Sequence, residues 1–307
     1  MITVSGLRKT YGDVVAVRGV DLDVRDGEVF GLVGPNGAGK TTTLKTICGL
    51  VEPTAGDVRV AGYDATDPAM RHHLGFLPEE SPLYEEMTPR SYLRFFADLY
   101  DVPRETADGR IAAALDRLDL DVRDRPVGDF SKGMKRKVAI ARSLVNDPDV
   151  LVYDEPASGL DPVTTKTVVD FTRELAAEGK TVLFSAHDLY HVEAVCDRIA
   201  VMHDGRVAAK GTLDDIRGEY GSVEYRVALT RQLDGAESVG DHYELTVESM
   251  DKVEALRERV QGVGGEVVDI RTRESSLEDL FLAITGESKR AAEERTRVER
   301  GEHELEG

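Results

Sequence analysis

The chain has 307 residues, enough for one sizeable α/β domain and a smaller second one. Its 58 acidic against 39 basic residues give a net charge of −19, which repels phosphate backbones and anionic lipid and so argues against nucleic-acid binding and direct lipid insertion. No stretch approaches the roughly 18 apolar residues of a membrane span, and Met1 to Ser5 lack a signal-peptide pattern, so a cytosolic address is expected.

The basic set is skewed, 28 Arg to 11 Lys, and acid-rich, lysine-poor composition resembles that of proteins from salt-loaded cytoplasms. Cys48 and Cys196 both fall in apolar helical patterns, which predicts buried, reduced thiols.

In chain order, Val20-Asp21-Leu22-Asp23-Val24 alternates as a half-buried strand should. Asp26-Gly27 marks a turn, and Val29 to Val33 reads as a buried parallel strand. Gly34-Pro35-Asn36-Gly37-Ala38-Gly39-Lys40-Thr41 then spells G-x-x-x-x-G-K-[ST], followed by a helical stretch with Leu44, Ile47 and Cys48 on one face. Strand before and helix after are the context this phosphate-gripping loop requires. Its glycines let backbone N–H groups turn inward around phosphates at a helix N-terminus. Lys40 is expected at the β- and γ-phosphates and the Thr41 hydroxyl at Mg²⁺, with Thr42 closing the nucleotide-binding stretch.

Asp57 to Gly62 and Leu74 to Leu77 read as further short strands. Between about Thr88 and Asn146 the texture is helical, with stripes at Tyr92, Leu93, Phe95, Phe96 and Leu99, at Ile111, Leu115 and Leu118, and at Val138, Ile140, Ala141, Leu144 and Val145. Strands Val150 to Tyr153 and Thr181 to Phe184 flank a helix over Val163 to Ala177, a β-α-β spacing for a parallel sheet. Asp154-Glu155 ends the first of them, where open α/β sheets place ligands. Asp154 suits Mg²⁺ and Glu155 suits polarising a water. His187, just beyond Ser185, is placed to bond a γ-phosphate. Ile199 to Met202 and Arg206 to Ala209 form a hairpin about Asp204-Gly205.

Past about Gly218 a β-β-α-β-α order starts afresh: strands Val223 to Leu229 and Tyr243 to Val247, a helix around Val253, Leu256 and Val260, a strand Val267 to Ile270 and a helix Leu277 to Ile284. The expected domains are 1–218, 219–286 and a charged tail 287–307, which reads as a solvated helix with a Glu293–Arg297 pair or as plain disorder.

The order of these motifs resembles the nucleotide-binding subunit of an ABC transporter over roughly residues 2–215. The resemblance implies an α/β P-loop NTPase core with an antiparallel β subdomain and a helical insertion at about 88–146, plus a small C-terminal α+β domain. It makes Tyr11 the aromatic that stacks on adenine, Gly34 to Thr41 the Walker A loop and Val150 to Glu155 the Walker B strand with its catalytic glutamate. Ser158 to Asp161 match the D-loop, and Ser185 to Asp188 the switch-histidine region.

Two motifs depart from the family. The signature Leu-Ser-Gly-Gly-Gln stands here as Phe130-Ser131-Lys132-Gly133-Met134. Ser131 and Gly133 survive as the cap and the close-approach glycine, while Lys132 is an added cation. The usual Q-loop glutamine falls on Glu79, with Glu80 as the alternative; a carboxylate there can still ligate Mg²⁺.

The strings at Gly75 to Glu79, Ser131 to Lys135 and Ser276 to Phe281 look like the drug- and antibiotic-exporter (ABC-2, daunorubicin-resistance-like) branch. The resemblance implies ATP sandwiched between Gly34–Lys40 of one copy and Ser131 and Gly133 of a second, and a separately encoded membrane permease gripping near the insertion and Glu79, flanked by Arg90, Tyr92 and Phe95. The chain would then sit on the inner face of the cell membrane through that permease. A soluble ABC ATPase acting on ribosomes or DNA is the rival; one cassette, no basic linker and no inserted coiled coil weigh against it.

Overall fold

The computed structural model describes residues 1–186 and 189–286. The chain divides into two compact units, Met1–Leu213 and the part from Asp214 on.

In the first unit, β1 (Ile2–Tyr11) and β2 (Val14–Val24) pair antiparallel, with Ile2 opposite Val24 and Tyr11 opposite Val14. The alternation read from the sequence buries Val20, Leu22 and Val24 and leaves Asp21 and Asp23 in solvent. β3 (Val29–Val33) is buried throughout and runs into the glycine-rich loop and α1 (Lys40–Ile47). β4 (Ala55–Val60) and β5 (Tyr63–Asp64) complete a sheet of order β2-β1-β4-β5. The strand expected over 57–62 stops at Val60, because Ala61 (φ 52°) and Gly62 (φ 85°) turn left-handed into β5.

β6 (Leu74–Leu77) precedes the helical insertion: α2 (Pro89–Leu99) capped by Thr88, α3 (Arg104–Arg117), and α4 (Lys132–Arg142) capped by Ser131. Tyr92, Leu93, Ile111, Leu115, Leu118, Val138, Ile140, Ala141 and Val145 of the expected stripes are buried. Phe95 and Leu99, in contrast, face solvent.

β7 (Val150–Asp154), α5 (Pro162–Ala177), β8 (Thr181–Ala186), α6 (Leu189–Val195), β9 (Arg198–His203) and β10 (Arg206–Gly211) build a second sheet of order β10-β9-β3-β8-β7-β6. All its neighbours are parallel except the edge hairpin β9–β10. β3, β7 and β8 are buried on both faces, which is why their sequences are runs and not alternations. The parallel register sets Val33 beside Ala186, Asp154 beside Ser185 and Leu77 beside Tyr153. The chain segments that follow Val33, Asp154 and Leu77 therefore leave the sheet on one edge, the edge where such sheets bind ligands.

α7 (Leu213–Tyr220) leads into the second unit, formed by β11 (Val223–Leu229), β12 (Glu237–Val239), β13 (His242–Val247), α8 (Met250–Gly262), β14 (Val267–Glu274) and α9 (Leu277–Thr285). Its antiparallel sheet has the order β12-β13-β11-β14 over a core of Val227, Leu229, Leu233, Val253, Leu256 and Val260. The sequence pattern misses β12, whose three residues are all exposed and so show no alternation of burial. Cys48 ends α1 and Cys196 follows α6; both thiols are free, and burial pushes both well above their ordinary range. The tail 287–307, with the Glu293–Arg297 pair, lies outside the described residues.

Candidate nucleotide site

The loop after β3 has the shape its sequence requires. Gly39 precedes α1 with φ 100°, and a Cβ there would stand 2.6 Å from the Ala16 carbonyl of β2. Glycine alone fits. At Gly34 a Cβ would run into the Met202 carbonyl of β9. Between them, the Ala38 N–H donates to the Pro35 carbonyl at 3.2 Å, while Asn36 and Gly37 remain exposed. No side chain caps α1 and no acid occupies its first turn, so the amides around Lys40, Thr41 and Thr42 meet no built-in anion. Such a terminus is suited to phosphate.

Lys40 is buried, and its ammonium lies inside the curl of its own loop. It donates to the Gly34 carbonyl at 2.6 Å and the Pro35 carbonyl at 3.4 Å, and stands 3.5 Å from Glu155 Oε1. Glu155 is buried as well, at φ 48°, a left-handed backbone that costs a non-glycine residue roughly 1–3 kcal/mol. Ser185 of β8 joins the two acids. Its Oγ donates to Asp154 Oδ1 at 2.6 Å and accepts the Glu155 N–H at 3.0 Å. The strand order, with β8 between β3 and β7, brings Lys40, Ser185 and the Asp154–Glu155 pair together from three segments.

Asp154, itself buried, and the half-buried Thr41 offer hard oxygen donors of the kind Mg²⁺ takes, with water and phosphate oxygens filling its remaining positions. Among the described residues no cluster of three or more His, Cys, Asp or Glu side chains could hold a metal ion. Glu79 is exposed; with Glu80 and Ser81 it lines a cleft of about 610 Å³ that also takes in Lys132, Lys135 and Ser158. The structure thus groups Glu79 with the signature segment.

In that segment, Ser131 caps α4 by accepting the Met134 N–H at 3.2 Å. Gly133 is buried against α5, where a Cβ would meet Thr164 Oγ1 at 2.9 Å. Its missing side chain serves helix packing in this copy. Lys132 is exposed and lies against Gly159, and Met134 is half-buried. Asp161 caps α5, accepting the Val163 N–H at 3.1 Å, the Thr164 N–H at 3.0 Å and the Thr164 hydroxyl at 2.6 Å. The Thr164 hydroxyl, then its N–H, hold this carboxyl below the usual range. Tyr11 is exposed at the end of β1 with the Lys9 ammonium 5.0 Å from its ring centre. It faces Val14, two residues before the Ala16 carbonyl that abuts Gly39. His187 lies outside the described residues.

The sequence reading passed over Arg136, which is buried beneath the Glu155 turn and donates to its carbonyl at 2.7 Å. Arg136 shares a helix face with Gly133, three residues back, and Ile140, four residues on, but its lysine neighbours hide that placement in the sequence.

The chain is similar to known proteins along most of its length. The family model described as ABC transporter matches residues 17–158. The daunorubicin resistance ATP-binding protein DrrA3 of Streptomyces coeruleorubidus is 36% identical over 95% of this chain and 98% of its own. The Nod factor export ATP-binding protein I of Burkholderia orbicola is 37% identical over 91% and 95%. Among solved structures, a dimeric ATP-binding cassette in a post-hydrolysis state bound to ADP and Pi is 27% identical and superposes with a TM-score of 0.64 over 69% of this chain and 99% of its own. With relatives at 36% and 37% identity matched nearly end to end, the chain belongs to the ABC transporter family, among its ATP-binding proteins.

Proposed function

We propose that this chain is the ATP-hydrolysing subunit of an ABC exporter whose membrane-spanning permease is a separate chain. The carrying observation is the buried Lys40–Glu155 pair beside Asp154 at the mouth of the phosphate loop. Triphosphate binding brings anionic oxygens that compete for the Lys40 ammonium, which frees the Glu155 carboxylate to act on water. Thr41 and Asp154 would hold Mg²⁺, with Glu79 as a further candidate ligand, and the cation would neutralise charge on the triphosphate, while His187 would bond the γ-phosphate. Tyr11 stacks on the adenine.

Ser131 and Lys132 are exposed at the start of α4, where a second copy's nucleotide could reach them together with the Gly133 amide. Two copies facing head to tail would complete two sites, with ATP adding bonds to the closed dimer that ADP cannot make. The dimeric state of the ADP- and Pi-bound cassette supports this arrangement. Export is supported by the names of the relatives, daunorubicin resistance and Nod factor export. No helix among the described residues is long and apolar enough to cross a membrane, which fits a separate permease and attachment to the inner face of the cell membrane through it.

The test is Glu155→Gln. Hydrolysis should fall by a factor of at least ~100, the scale of a lost general base, while ATP drives the variant into a stable dimer. A variant that hydrolyses ATP at the normal rate, or stays monomeric in ATP, overturns the reading.

A further inference from the structure

One buried cation gathers the backbones of the two loops that carry Glu79 and Glu155. Arg136 sits on the buried face of α4, 8% exposed. Its Nε donates to the Pro156 carbonyl at 2.8 Å. Nη1 donates to the carbonyls of Pro78 at 2.7 Å and Glu79 at 2.9 Å, and Nη2 to those of Asp154 at 3.1 Å and Glu155 at 2.7 Å. Five carbonyl dipoles thus converge on one planar guanidinium. Burial pulls its pKa down to about 10, against the opposing pull of Asp154 and Glu79, so the charge persists at neutral pH.

The three carbonyls at Asp154, Glu155 and Pro156 belong to the turn in which Glu155 holds its left-handed backbone. That conformation persists only where the surroundings fix it. The Ser185 hydroxyl holds the turn by the Glu155 N–H, and Arg136 holds it by the carbonyls on the other side. The same guanidinium holds Pro78 and Glu79 as the chain leaves β6. Ser131 caps the start of its helix, so three segments meet at one side chain.

We propose that Arg136 is a positioning residue for hydrolysis, locking the Glu155 turn and the Pro78–Glu79 loop to the helix that starts at Ser131. It acts through Glu155. A displacement of α4 then displaces the base and the Glu79 loop together. A lysine cannot replace it, because an ammonium has three donors on a flexible stem and no planar fork. The inference rests on hydrolysis at Glu155 as proposed above.

The test uses Arg136→Gln and Arg136→Lys in the full chain, with steady-state ATP hydrolysis and ADP binding measured side by side. Both variants should lose kcat by about tenfold or more, while the Kd for ADP stays within about twofold, since the Lys40 loop makes no bond to Arg136. A smaller loss of kcat in Arg136→Lys overturns the inference, as does an ADP affinity that falls in step with kcat. Hydrogen exchange on the unmodified protein decides the matter even where a variant fails to fold. The amides of Glu79, Glu80 and Ser81 and those of Glu155 and Ala157 should open with one common rate, and separate rates overturn the coupling. An unmodified protein that hydrolyses no ATP defeats the functional reading instead, and the exchange result still judges Arg136.

Discussion

Ser185 is a small residue with two duties at the candidate site. Its hydroxyl is fully buried, donating to Asp154 and accepting from the Glu155 amide. Replacing it with alanine leaves a buried carboxylate oxygen and a buried N–H each short of a partner, which costs about 1–3 kcal/mol for each group. Ser185→Ala should therefore lower the unfolding free energy by roughly 2 kcal/mol or more, measured by denaturant titration; a change under about 0.5 kcal/mol would show that neither bond matters. The Walker residues were legible because their spacing encodes backbone geometry, as at Gly39 against Ala16. Arg136 was not, because it stands among Lys132, Lys135 and Lys137 and reads as one more solvated charge. Only the fold shows that this cation points inward onto five carbonyls.

At the scale of elements, α2 is divided between two faces. Tyr92 is buried and its hydroxyl accepts from Arg142 at 2.9 Å, whereas Arg90, Phe95 and Leu99 are exposed. Phe95 and Tyr84, also exposed, meet edge to face with centroids 5.9 Å apart. Nearby on the same insertion, Phe96, Tyr100 and Arg142 line a cavity of about 230 Å³ with Leu50 and Phe76. This exposed apolar cluster lies on the insertion that the proposed permease would grip, which makes it the candidate contact face. Phe95→Asp combined with Leu99→Asp should abolish co-purification with the permease, while the isolated subunit still dimerises in ATP. Retention of the permease by the double variant would remove α2 from the contact. The helical periodicity in the sequence announced α2, yet it could not divide Tyr92 from Phe95. Both are aromatic, and periodicity finds a stripe without saying which edge of it another element covers. The missed β12 has the opposite cause, since a strand exposed on all three residues has no pattern to read.

The whole molecule carries −19 charges, and its two units differ in how the sequence revealed them. The first was legible almost throughout because a phosphate site constrains order, spacing and residue type at once. The second was legible only as an alternation of strands and helices, and no residue in it announces chemistry. The match to the DrrA3 relative over 95% of the chain extends into this second unit, so it is part of the relative's architecture as well. Charge of this size acts on both units through self-repulsion, which opposes the compact state and is screened by salt. Among the described residues most ion pairs have at least one exposed partner, and pairs exposed on both sides, such as Lys166–Asp170 and Lys252–Glu248, contribute about 0–1 kcal/mol each, so screening them loses little. Relief of repulsion should therefore outweigh loss of attraction. The unfolding midpoint should rise by on the order of 5 °C between about 0.1 M and 2 M KCl, a salt chosen because it is less strongly excluded from protein surfaces than sulfate. Calorimetry at both concentrations checks this. A flat or falling midpoint would mean that the acidic surface is already balanced by local pairing, and the salt-loaded cytoplasm suggested by the composition would lose its physical basis.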